Sequence, residues 1–220
     1  MRYKCVILDH DDTVAESSRA IHHPAHREVM RLMRPELRPL DFDEWMLKNF
    51  EPGVMEYLQG ELGMDTAEIQ VEHGIWRSFS ARQDAPFFDG VVELLEEFAI
   101  HGSIAVVSHS EVDVIERNYA FASQGRVKPD LIYGWDFDPK RRKPSPWPVH
   151  EILRRLGLSE EEVIVVDDLK PGVEMAREAG VAIAGAGWAY DIPRIRSYMR
   201  AMCDFYFDTV AALHSHLLGD

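Results

Sequence analysis

Asp9-His10-Asp11-Asp12-Thr13 sets three carboxylates within four residues, directly behind the short apolar run Cys5 to Leu8. Acids this close repel each other unless a cation or solvent compensates them, so the pattern suits a divalent metal centre. It equally suits a polar turn in which Asp12 or Thr13 caps a helix. A second acidic pair, Asp167-Asp168, follows the run Val163 to Val166 and has the same two readings: a metal or cation site, or one cap beside a solvated acid. Ser108 closes a third run, Ile104 to Val107. Its hydroxyl and the backbone N–H groups that follow, beginning at His109, suit phosphate oxygens, although turns and caps use serine in the same place. Lys143, within Arg141-Arg142-Lys143-Pro144-Ser145-Pro146, stands just before a helical pattern. There a fixed ammonium can neutralise developing phosphoryl charge, or simply belong to a basic loop.

These groups need elements that carry them to one place. The three apolar runs predict buried parallel strands, and Leu131 to Tyr133 and Val181 to Ala184 predict two more, for a sheet of about five. Helical periodicity lies between them, as in Val91, Leu94, Leu95 and Phe98, or Val149, Ile152, Leu153 and Leu156 closed by Gly157. Strand alternating with helix predicts an α/β fold with a Rossmann-like, doubly wound parallel sheet, whose strand ends collect ligands. Residues 16–86 break the rhythm with helical patterns alone: Pro24 to Met33, Asp41 to Asn49, Gly53 to Leu62 and Asp65 to Ala81. The economical division is a discontinuous core, 1–15 with 87–220, and an inserted α-helical cap, 16–86.

Composition excludes some functions. With 24 basic against 38 acidic side chains and a net charge of -14, the chain repels nucleic acid and anionic membranes. No apolar run approaches a membrane span. Cys5 and Cys203 sit among apolar residues and read as two reduced, buried thiols. A cytoplasmic protein, monomer or homodimer, without nucleic-acid or membrane partners is expected.

In combination the motifs resemble the phosphatase branch of the haloacid dehalogenase superfamily, of the phosphoglycolate phosphatase-like and β-phosphoglucomutase-like kind with a small helical cap. Asp9, Asp11 and Thr13 match its Asp-x-Asp-x-Thr, Ser108 its second motif, Lys143-Pro144-Ser145-Pro146 its third, and Asp167-Asp168 its fourth. Two positions depart. Many relatives have Gly where Asp12 stands, and many with a Gly-Asp fourth motif have a further Asp where this chain has Gly172.

The resemblance implies in-line attack by Asp9 on phosphorus, an aspartyl-phosphate, and Asp11 as acid and then base. An ordinary Asp titrates near ~3.9, so that acid role needs burial or neighbouring carboxylates to raise its proton affinity. The implied cofactor is Mg2+, held by Asp9, Asp11 through its backbone carbonyl, and Asp168, with Asp167 substituting for the missing outer acid. Ser108, His109 and Lys143 are the implied phosphate-binding residues. The implied substrate is a small phosphorylated metabolite, selected by the cap. Candidate specificity residues are Phe50 and Glu51, in an interhelix turn, and His22. The cluster His22, His23 and His26 reads as the polar start of a helix in preference to a second metal site. Rival functions are a phosphomutase of the same superfamily and a catalytically idle metabolite-binding or regulatory module. A dehalogenase is disfavoured, because halide displacement has no use for Asp11.

Overall fold

The structure is a computed structural model and describes residues 2–219. The chain forms two compact units, one of Ser17–Ala85 and one made of the residues up to Glu16 and from Pro86 onward.

Strand β1 (Cys5–Leu8) belongs to the second of these and precedes the helical unit in the chain. The helical unit opens with a π-type turn, Ser18–His22, that runs into α1 (His23–Met33), with Pro24 in its first turn. α2 (Phe42–Phe50) follows, then α3 (Val54–Glu56), which continues through a second π-type turn, Tyr57–Glu61, and α4 (Thr66–Ser80). Asp41 with Glu44 and Asp65 with Glu68 form capping boxes that satisfy the first N–H groups of α2 and α4. Val29, Tyr57, Leu58, Met64 and Ile69 make the unit's core. Arg34 grips both carboxylate oxygens of Glu68, at 2.7 and 3.0 Å, joining the end of α1 to the start of α4. His26 is buried with its ring near Trp45 and Tyr57, and its Nε2 has no hydrogen-bond partner among the described residues. Burial, and then the nearby His23, lower its pKa to about 4.

The other unit continues with α5 (Val91–Phe98), β2 (Ser103–Val107), α6 (Val112–Ala122), β3 (Leu131–Tyr133), α7 (Trp147–Leu156), β4 (Val163–Asp167) and α8 (Lys170–Ala179). β5 (Ala182–Ala186), α9 (Pro193–Met202), β6 (Phe205–Phe207) and α10 (Val210–Leu218) complete it. The strands form one parallel sheet in the order β3-β2-β1-β4-β5-β6. Runs rich in Val and Ile build the central strands because such sheets are covered on both faces. The sequence predicts about five strands; the sixth, β6, has three half-buried residues, too few to display a period. β5 extends through Gly185 and Ala186, past the apolar run that marks it. Cys5 is buried as expected, whereas Cys203, at the exit of α9, is half-buried; both are free thiols.

The winding reverses at β1, which has β2 on one side and β4 on the other. Leu8 pairs in register with Val106 and Val166, so the chain leaves β1, β2 and β4 at neighbouring levels. A crevice opens at such a switch point. The turn from β4 into α8 depends on a missing side chain. A Cβ on Gly172 would lie 2.0 Å from the Asp167 carboxyl carbon, so the room that a residue at 172 would fill is taken by Asp167.

Gly172→Ala is therefore expected to lower the urea midpoint. Alanine gains up to ~1 kcal/mol of helix propensity, but overpacking against Asp167 costs about 1–3 kcal/mol; an unchanged or higher midpoint contradicts this packing. For His26, the unfolded chain takes up a proton near its ordinary value of 6.5, whereas the folded chain resists until about 4. Stability should thus fall as pH drops from 6.5 to 4, by up to about 3 kcal/mol. Denaturation series across that window should show a shallower slope for His26→Phe than for the parent.

Candidate active site

Lys143 arrives from the loop before α7, and its ammonium lies between two carboxylates, 2.6 Å from Asp9 Oδ1 and 2.8 Å from Asp167 Oδ2. All three side chains are almost fully buried. Asp9 follows β1, Asp167 ends β4, and the parallel register brings them to the same edge of the sheet. The second oxygen of Asp167 accepts the Leu169 N–H at 2.9 Å, fixing the turn into α8. Asp168 points its carboxylate at other donors: Thr13 Oγ1 donates to Oδ1 at 3.2 Å and Tyr190 OH donates to Oδ2 at 2.7 Å.

Asp11 faces the end of β2. Its Oδ2 accepts hydroxyl hydrogen bonds from Ser110 at 2.6 Å and Ser108 at 3.3 Å, while the Ser110 N–H donates to Ser108 Oγ at 3.0 Å. His109 Nε2 lies 3.1 Å from the Lys143 carbonyl oxygen, so the imidazole donates there and links the serine loop to the lysine loop. Burial, followed by the Lys143 charge, lowers the pKa of His109 to about 3 and keeps the ring neutral. The turn after β1 is closed by the Val14 and Ala15 N–H groups, both donating to the His10 carbonyl. Within that turn Asp12 has φ +60°, a left-handed conformation that glycine adopts without strain. Its buried carboxyl adds to the acidity around Asp168. His10 packs away in the core unit, within hydrogen-bond distance of Asn118 and stacked near Tyr119.

Electrostatics set the character of the site. Burial pushes the Asp9 carboxyl up to about 7, Lys143 pulls the other way, and Asp167 and Asp11 add repulsion. Burial, then Asp9 and Asp167, raise Asp168 well above the usual carboxylate range. Burial alone would discharge Lys143, yet Asp167 and Asp9 outweigh it and hold the ammonium protonated beyond its ordinary range. Asp9, Asp167 and Asp168 each offer an oxygen within 4.8 Å of the others, the one such group of candidate ligands among the described residues. One ammonium does not balance three buried carboxylates, and an all-oxygen donor set is what a hard divalent cation such as Mg2+ prefers. The residues present therefore fit a metal ion. The serines engage Oδ2 of Asp11, whereas the contact that the resemblance implies is through its backbone carbonyl.

The fold thus draws together Asp9, Asp11, Ser108, His109, Lys143, Asp167 and Asp168. His22, Phe50 and Glu51 belong to the helical unit: His22 is buried and stacked on Trp76 at 5.3 Å, Phe50 is buried at the end of α2, and Glu51 is exposed. Sequence reasoning missed Ser110 and Tyr190. Ser110 could have been suspected from its place two residues after Ser108, but Tyr190 lies beyond β5 in a segment with no motif.

Comparison with known proteins agrees with this architecture. Residues 6–186 match the haloacid dehalogenase-like hydrolase family. A phosphoglycolate phosphatase of Aquifex aeolicus is 22% identical over 187 residues, covering 85% of this chain and 86% of that one. A 5'-nucleotidase of Pseudomonas aeruginosa is 25% identical over 199 residues, covering 86% and 85%. Among solved structures, a haloacid dehalogenase-like hydrolase of Streptococcus pneumoniae superposes with a TM-score of 0.75 at 18% identity, covering 98% of both chains. The CbbY protein of Rhodobacter sphaeroides, in complex with a xylulose bisphosphate, gives 0.73 at 18% identity over 96% of both. The match runs from within β1 to the end of β5, including every strand end that carries the acidic site, and the chain belongs to the haloacid dehalogenase-like hydrolase family of enzymes.

Proposed function

We propose that the chain is a Mg2+-dependent phosphatase that hydrolyses a small phosphorylated metabolite through an aspartyl-phosphate on Asp9. The observation that carries this reading is the buried Lys143 ammonium bridging Asp9 and Asp167, with Ser108 and Asp11 on the adjoining strand end. Phosphoryl transfer asks a protein mainly to position the reactants and to neutralise charge. In this reading the Lys143 ammonium and the Ser108 hydroxyl hold phosphoryl oxygens once a substrate competes for them. The Asp9 carboxylate forms the new bond to phosphorus as the ester P–O bond breaks, and Asp11 gives its proton to the departing oxygen. Water then attacks the phosphorus, Asp11 takes the proton back, and phosphate and free Asp9 result. Asp9, Asp168 and the Asp11 carbonyl would hold the Mg2+, with Asp167 beside them. When bound, the ion supplies positive charge that stabilises the ionised carboxylates and the phosphoryl group.

The phosphatase and nucleotidase relatives support a phosphomonoester substrate. We propose the helical unit as the cap that selects the leaving group, through Phe50, Glu51 and His22. No described helix is long and apolar enough to cross a membrane, and the free thiols of Cys5 and Cys203 suit a reducing cytoplasm.

Asp9→Asn is expected to abolish phosphate release, at least 10³-fold on the order of a lost nucleophile, in a chain that still folds cooperatively but with a lowered unfolding midpoint, because Lys143 loses one of its two charged partners. The measurement is phosphate released from a panel of phosphorylated metabolites, with Mg2+ and with a chelator. Chelator-sensitive turnover surviving in Asp9→Asn, or no turnover of any panel member by the parent chain, would sink the assignment. Exchange of Glu51 for Lys should alter preference across the panel while sparing a simple aryl phosphate; an unchanged profile counts against the cap reading.

A further inference from the structure

The loop between β5 and α9 brings two aromatic side chains to the acidic centre that no motif anticipates. Tyr190 donates its phenolic O–H to Asp168 Oδ2, at 2.7 Å, and its oxygen also lies 3.2 Å from the Asp168 carbonyl oxygen. Thr13 donates to the other carboxylate oxygen, Oδ1, at 3.2 Å. Thr13 is itself held from behind, because the Trp188 indole N–H donates to its carbonyl oxygen at 3.1 Å. Trp188, Thr13, Asp168 and Tyr190 therefore form one chain of hydrogen bonds that ties the loop after β5 to the turns after β1 and β4.

The terminal torsion of an aspartate is broad, so nothing intrinsic to Asp168 sets the plane of its carboxylate. A donor on each oxygen does. Each carboxylate oxygen has two acceptor sites, so Thr13 and Tyr190 take one apiece and leave one apiece available. We propose that Tyr190 is a positioning residue for the metal ion: its phenol orients the Asp168 carboxylate for coordination, with Trp188 securing Thr13 as the opposing donor. The inference rests on the reading of Asp168 as a metal ligand. Hydrogen-bond partners of this outer kind contribute substantially to affinity, and their loss typically weakens metal binding by roughly 10- to 100-fold.

Tyr190→Phe keeps the ring and removes only the donor. Direct titration of the full-length chain with MgCl2 by calorimetry, with no substrate and no turnover, should give a dissociation constant raised roughly 10- to 100-fold. The unfolding midpoint in chelator should stay near that of the parent. Assayed at saturating Mg2+, the variant should recover most of its activity, which a merely structural lesion would not allow. Trp188→Phe, which removes the indole donor to Thr13, should weaken Mg2+ binding in the same direction and keeps the test open where Tyr190→Phe fails to fold. Asp168→Asn separates the two layers. If the parent binds Mg2+, Asp168→Asn loses it and both aromatic variants bind as the parent does, the positioning role is overturned while the metal reading stands. If the parent binds no Mg2+, or Asp168→Asn binds it unchanged, the metal reading fails and the inference falls with it.

Discussion

A single buried ammonium between two carboxylates is the constraint around which the core unit is arranged. Lys143 and its partners Asp9 and Asp167 are all nearly excluded from solvent. Removing charges from water costs several kcal/mol each, an expense that close, well-directed contacts can offset and that a mispaired neighbour cannot. The partners come from the ends of β1 and β4, which the sheet holds side by side in parallel register. Parallel winding with β1 at the reversal point delivers these groups, together with the end of β2, to one edge without distorting any strand. Hydrophobic burial of Val6, Ile104 and Ile164 in the shared core is thus what sustains an electrostatically strained edge.

The site remains acidic after Lys143 has been counted. Asp168 and Asp12 stand close enough to repel each other, and Asp168 is held by neutral donors instead of a second ammonium. Such an arrangement disfavours three ionised carboxylates together in the absence of a cation and favours them with one. An all-oxygen donor set of this kind is the one that a hard divalent cation prefers. A cation held by these groups would also stabilise the fold, since the same carboxylates belong to the buried edge of the sheet.

Local geometry explains the two departures from the family pattern. Asp12 occupies a left-handed position in the turn after β1, which accounts for the glycine that many relatives carry there, and aspartate is among the residues that tolerate this conformation. At Gly172 the explanation is one of space. The Asp167 carboxyl fills the volume that a side chain at 172 would need, so any residue larger than glycine there requires Asp167 to move. The two positions therefore read as one linked choice.

Much of the fold was legible along the chain because its signals are local. Apolar runs such as Val163 to Val166 mark buried strands by composition alone, and the capping boxes at Asp41 and Asp65 mark helix starts within four residues. Short elements escaped for the same reason: β6 pairs with β5 through three residues that carry no period of their own. Asp9, Asp11, Ser108, Lys143, Asp167 and Asp168 could be nominated in the sequence because each lies just past a strand run or just before a helix pattern. What the sequence by itself determined was the identity of those groups and the strand ends that bear them. Their pairing was decided only in three dimensions: that Lys143 would choose Asp9 and Asp167, that Asp11 would turn to Ser108 and Ser110, and that Tyr190 would reach Asp168 from beyond β5. A hydrogen bond is settled by distances of a few tenths of an ångström between residues far apart in the chain, and spacing along a sequence holds no record of them.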